Sequence, residues 1–186
     1  MNTSTGVRTY FLYLRFLRVD GVLWMAVECL TFIFMNRNTF GRSALNPRGY
    51  EGSNASVKDA NECVTIVSGM IVVSHVGRRT FGVEQPRSSV LNYFDGFSEL
   101  LAWSGAVTIN TPHGAFAGES QKDLKLFGTL PNMHTLVRTP TDEDSRRWVQ
   151  LTYKVDGRTY GHRDLLSNSE HYTADFGDAV ARACSL

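Results

Sequence analysis

The sequence predicts an α+β fold of the split β-α-β kind, a sheet containing antiparallel strands with helices on one face. Three observations carry this expectation. The segment VTIVSGM at 64–70 is rich in β-branched residues and nearly all apolar or small, as for a buried central strand. Between 86 and 101 the apolar side chains of Val90, Tyr93, Phe94, Phe97, Leu100 and Leu101 recur at the i, i+3, i+4 spacing of one helix face. WVQLTYKV at 148–155 alternates and runs into Asp156 and Gly157, the dipeptide of a two-residue hairpin turn.

In chain order, the 26 residues that begin at Tyr10 and end at Met35 hold 20 apolar side chains, interrupted by Arg15, Arg18, Asp20, Gly21, Glu28 and Thr31. A bilayer span needs about 20 apolar residues. Four charges, each costing about 2.5–3.5 kcal/mol near the bilayer centre, make this a poor one. No small-residue cleavage site follows the apolar run, so a signal peptide fits badly. The expectation for residues 1–40 is an apolar helix that anchors the chain or docks on a partner. A hairpin turning at Asp20 and Gly21, or a full span, are the alternatives. Residues 41–61 are rich in Asn, Gly and Ser without a period and read as a linker. The domain proper is then 62–186.

Within that domain, Pro86, Ser88 and Ser89 open the helix and Gly105 stops it. A strand follows over 106–111, with 115–117 as its hairpin return. Residues 121–138 read as helical, broken by Gly128 and Pro131, and Asp142, Glu143 and Asp144 as a solvated turn. The hairpin pairs Val155 with Arg158, Tyr153 with Tyr160 and Leu151 with His162, so His162 reads as a structural histidine on the apolar face. Residues 178–186 begin a last helix.

Composition excludes several function classes. With 19 Lys plus Arg against 18 Asp plus Glu, the chain is nearly neutral, and its thirds (1–57, 58–120, 121–186) hold 6 against 3, 4 against 6 and 9 against 9. No third is strongly basic, which demotes nucleic acid as a partner. Cys29, Cys63 and Cys184 are odd in number, widely spaced and without nearby histidines. They point to a reducing, intracellular setting, which makes the sequon at Asn54 coincidental.

Three blocks resemble one family, the class III adenylate/guanylate cyclase catalytic domain, in degenerate form over about residues 64–186. They are VTIVSGMIV (64–72), PRSSVLNYFDGFSELLAWSGAV (86–107), and VQLTYKVDGRTYG (149–161) followed by HYTADFGDAVARACSL (171–186). The resemblance implies a ferredoxin-like fold and a dimer with sites at its interface. It also implies chemistry in which two carboxylates hold divalent ions beside a nucleoside triphosphate while an Asn and an Arg orient and stabilise the reacting groups. Here the two metal-ligand positions hold Met70 and Ala115, the Asn position Ala181 and the Arg position Ser185. Methionine is no ligand for a hard cation, and Ala and Ser supply no cationic donor. His75 lies in the loop that the family uses for phosphate and reads as a plain loop histidine.

The expectation is therefore a catalytically inactive cyclase-like module, a structural or regulatory subunit without a cofactor. It would bind protein partners through the dimer face and the segment from Tyr10 to Met35, with membrane contact as a further option. The first alternative is the regulatory half of a heterodimeric cyclase, where Mg²⁺ and ATP or GTP would be expected. The second is an unrelated α+β structural subunit.

Overall fold

In the computed structural model, residues 17–27, 29–33, 36–52, 54–168 and 171–185 are described. The chain is α+β. Strand β1 (Val22–Ala26) leads through the short helix α1 (Arg37–Phe40) and the 22-residue helix α2 (Ala55–Val76) to strand β2 (Thr80–Pro86). β1 and β2 pair in parallel, Val22 opposite Thr80 and Ala26 opposite Glu84. A parallel pair needs a long crossover, and α2 lies within it. Helix α3 (Phe97–Trp103), strand β3 (Val107–Pro112) and strand β4 (Asp123–Gly128) follow, and the sheet order is β1-β2-β4-β3. Then come α4 (Asp142–Arg147), the hairpin strands β5 (Thr152–Val155) and β6 (Arg158–Gly161), α5 (Arg163–Asn168) and α6 (Ala174–Ala183).

Two compact units divide these elements. Unit 1 runs to Thr108 and adds Lys125–Leu130; unit 2 is Ile109–Leu124 with Pro131 onward.

The largest correction falls on 64–70, which is the middle of α2 and not a strand. Its buried positions are Val57, Ala60, Asn61, Val64, Val67, Met70, Ile71 and Ser74, spaced by three and four residues. β-branched residues cost a helix at most about 0.7 kcal/mol each, whereas burying a Val, Ile or Met side chain gains about 1.5–3 kcal/mol. Packing therefore outweighs propensity. Asn54 caps the start, its Oδ1 accepting from the Val57 amide at 3.2 Å.

The apolar helix expected across 10–35 is also corrected where it can be seen. Residues 22–26 are a strand, because their amides and carbonyls pair with β2 while Met25 and Val27 enter the unit 1 core. Residues 10–16 lie outside the described residues. Asp20 and Gly21 do sit at a turn, with the Gly21 amide bonded to the Arg18 carbonyl at 2.9 Å, but it leads into a parallel strand. Among the described residues no helix is long and apolar enough to cross a membrane.

The single helix expected from Ser88 is interrupted: Leu91–Tyr93 form a 3₁₀ turn, and Gly96 caps α3 at φ 72°, a left-handed conformation that glycine adopts without strain. Leu91, Phe94, Phe97 and Leu101 still reach the core that contains Val64, Val67 and Ile71 of α2. In β2, Gly82 faces Trp24, whose ring occupies the space that a side chain at 82 would need.

In unit 2, residues 115–117 form no returning strand: His113–Phe116 is a 3₁₀ turn, and Ala117 is left-handed. The helix read over 121–138 is replaced by β4 and a 3₁₀ turn, Met133–Leu136. The acidic triplet opens α4 through a capping box between Thr141 and Asp144. Hydrogen bonds to Thr141 hold the Asp144 carboxyl below its ordinary pKa. The hairpin has the expected register, Tyr153 opposite Tyr160 and Val155 opposite Arg158. Asp156 and Gly157 both have positive φ, as a type I′ turn demands. His162 is exposed, its ring 4.7 Å from Tyr153. α6 starts at Ala174, earlier than read, because Thr173 accepts from the Phe176 amide at 3.2 Å.

Candidate anion-binding cleft

The parallel pairing of β1 and β2 brings their carboxyl ends to one edge of the sheet, the side on which open α/β sheets place ligands. The chain segments leaving those two ends are joined directly. The Val90 amide bonds the Phe32 carbonyl at 3.0 Å, and Ile33 bridges Ser89. A buried relay locks this junction. Gln85, fully buried, donates from Nε2 to the Val27 carbonyl at 2.7 Å and to the Glu84 carbonyl at 3.0 Å. Ser89 Oγ donates to Gln85 Oε1 at 2.9 Å and accepts from the Leu91 amide at 3.2 Å. Every polar atom in the relay has a partner, so it holds the turn after β2 rigidly.

Over this junction lies a cleft of about 380 Å³ lined by four cations, Arg37, Arg42, Arg87 and Lys125, together with Ser88, Asn92 and Tyr93. Arg37 opens α1 beyond the end of β1, Arg87 follows β2, and Lys125 projects from β4. Its neighbours Leu124 and Leu126 are buried on the opposite face, as strand alternation requires. No Asp or Glu lines the cleft among the described residues.

The electrostatics follow from burial. Lys125 Nζ donates to Asn92 Oδ1 at 3.5 Å. Desolvation, and secondarily the charge of Arg87, push its pKa below the ordinary lysine value. Arg42 is 2% exposed. Its Nε donates to Thr31 Oγ1 at 3.1 Å and its Nη2 to the Val57 carbonyl at 3.3 Å, and Nη1 bonds the Pro47 carbonyl. The guanidinium carbon sits 3.8 Å from the Phe32 ring centre. Burial lowers the Arg42 pKa to about 10, against a raising effect from Glu51. Neither Lys125 nor Arg42 has a carboxylate at ion-pair distance among the described residues. Two desolvated cations grouped with Arg37 and Arg87 around a cavity without an acidic lining residue among the described residues are a candidate site for an oxyanion. Guanidinium forks match the planar faces of phosphoryl and carboxylate oxygens, and the ammonium adds a compact charge.

The four positions that the sequence resemblance singled out fall elsewhere. Met70 is 4% exposed inside the unit 1 core. Ala115 lies in the 3₁₀ turn of unit 2, its carbonyl accepting from Arg138 at 3.3 Å. One helical turn brings Ala181 and Ser185 together, with Ser185 Oγ bonding the Ala181 carbonyl at 3.3 Å. Magnesium, which cyclase chemistry needs, finds no oxygen ligand on the side chains of Met70 or Ala115. Among the described residues no group of three or more His, Cys, Asp or Glu is placed to hold a metal. His75, read as a loop residue, is in the last turn of α2, its ring 4.4 Å from Trp103.

None of the cleft cations was singled out as a site residue from sequence. They stand at positions 37, 42, 87 and 125, too far apart to form a local cluster. Compared with known proteins, the chain matches no protein-family model, no curated protein and no solved structure.

Proposed function

We propose that the chain is a non-catalytic binding module that captures a small phosphoryl-bearing anion in the unit 1 cleft. The observation that carries this reading is the grouping of Lys125 and Arg42, neither at ion-pair distance from a carboxylate among the described residues, with Arg37 and Arg87 around one cavity. Calorimetric titration of the full chain with inorganic phosphate and pyrophosphate tests it. Saturable binding should weaken about tenfold in Lys125→Met, the loss of one charge-assisted contact, and should fall with added salt. No saturable binding, or binding indifferent to Lys125→Met, would refute the proposal.

A second reading is the inactive cyclase-like subunit that the sequence resembles, with its ferredoxin-like fold, dimer-face partner and membrane or partner contact through residues 10–35. Support for it comes from the hairpin register at 152–161 and the helix at 174–183, which agree with the last of the three resembling blocks. Against its first block stands the helical state of 64–70. Cyclic nucleotide formation from ATP or GTP with Mg²⁺ or Mn²⁺ by the isolated chain would contradict an inactive module. Activity only with a copurifying cyclase would favour the heterodimeric alternative.

A further inference from the structure

A second cavity lies wholly within unit 2, and the charge of its lining is the reverse of the cleft's. It measures about 230 Å³ and is lined by Glu119, two histidines (His113 and His171) and Tyr172, with an apolar wall that includes Val149 and Leu165. No Lys or Arg lines it among the described residues. Its floor is built tightly. His113 is 4% exposed, its ring packed edge-on against Phe176 at 5.7 Å and Tyr172 at 6.3 Å. Burial, and then the charge of Lys122, lower its pKa, which disfavours a positive charge on this imidazole.

The loop that follows is strained into place. Ala117, a lining residue without glycine's freedom, stands at φ 60°. Such left-handed conformations cost about 1–3 kcal/mol and concentrate at ligand clamps. Gly118 lies so close to His113 that a Cβ there would be 3.0 Å from both Nδ1 and the carbonyl oxygen. Glu119, exposed, follows these two residues in the cavity lining, and the Val149 amide holds its carbonyl at 2.7 Å.

We propose that this cavity binds a small organic ammonium ion, its charge paired with Glu119 and its apolar body held against Tyr172, Val149 and Leu165. A carboxylate and a tyrosine ring in a lining without Lys or Arg among the described residues favour a cation over an anion. The site is independent of the anion cleft, which belongs to unit 1.

Titration calorimetry of the full chain with phenethylammonium tests the proposal, with phenylacetate and 2-phenylethanol as probes of similar shape and different charge. The ammonium should bind saturably, about tenfold or more tighter than either control. Glu119→Gln, at an exposed position, should lose about that factor while unfolding at the parent temperature. Leu165→Trp, which fills the cavity, should abolish binding if it folds; Glu119→Gln decides the matter if it does not. Absence of saturable ammonium binding, equal binding of the alcohol, or unchanged binding by Glu119→Gln would each overturn it.

Discussion

Met70→Asp introduces a carboxyl at the position that the sequence resemblance would align with a metal ligand, and the structure predicts that it damages the fold. Met70 is 4% exposed and belongs to the cluster that joins α2 to Phe81, Val83, Phe97 and Leu101. Losing the buried side chain costs about 2–5 kcal/mol on the Met→Ala scale. An aspartic acid kept neutral there at pH 7 stands about three units above its free pKa, which adds about 4 kcal/mol. The sum rivals the whole stability of a domain, about 5–15 kcal/mol. Urea unfolding followed by circular dichroism should show a collapsed midpoint for Met70→Asp and a change below about 1.5 kcal/mol for the volume-conserving Met70→Leu. The folded-state pKa of the new carboxyl is raised. Its penalty is therefore complete above that pKa and shrinks as pH falls toward the free value near 4. A Met70→Asp protein within about 0.5 kcal/mol of the parent, and stabilised by Mg²⁺, would place residue 70 at a solvent-facing ligand position and refute its burial in α2.

Gly82→Ala should cost about 1–3 kcal/mol, typical of overpacking. The new methyl would stand 2.5 Å from the Trp24 ring and 3.2 Å from Leu130 Cδ1. Trp24→Leu in the same chain should recover part of the loss in urea midpoint, and additive losses would argue against that contact. His113 makes a separate prediction about acid. Its folded-state pKa is lowered, so both states are neutral well above 6.5. As pH falls below 6.5 the unfolded chain takes up a proton that the folded chain resists. Stability therefore declines on acidification, and His113→Gln should flatten that slope. An unchanged slope between pH 7 and 5 in the variant would assign the acid sensitivity to other groups. Thr141→Ala removes the N-cap of α4 and should cost about 1 kcal/mol, measured as a shift in the urea midpoint; no shift would mean that α4 does not depend on its cap.

The β5–β6 hairpin was legible in the sequence down to its register. Asp156 and Gly157 accept the two positive φ values that a type I′ turn requires, and one local turn then dictates every pair outward from it. Of the apolar residues that the 90–101 spacing grouped on one helix face, Phe94, Phe97 and Leu101 are buried and Val90 and Leu100 pack against the core, whereas Tyr93 is exposed and Gly96 breaks the helix. Segment 64–70 misled because a short run dominated by β-branched and apolar residues looks alike in a buried strand and a buried helix. Across all of α2 the discriminating signal is present: positions 57, 60, 64, 67, 71 and 74 keep a three-four rhythm that no strand uses.

The acidic triplet shows the same limit at shorter range. Thr141 followed three residues later by Asp144 is a capping pattern, readable only once a helix is supposed to follow.

By itself, the sequence determined an α+β chain of nearly neutral charge and one hairpin with its register. Tertiary structure alone decided that 22–26 lies beside 80–86, and hence that Arg37, Arg87 and Lys125 share one cleft. The physical reason is range. Turn chemistry and periodicity act over a few residues, whereas a cleft of like charges depends on a parallel pairing closed across more than fifty intervening residues. That pairing is stabilised by a core whose partners no local pattern names.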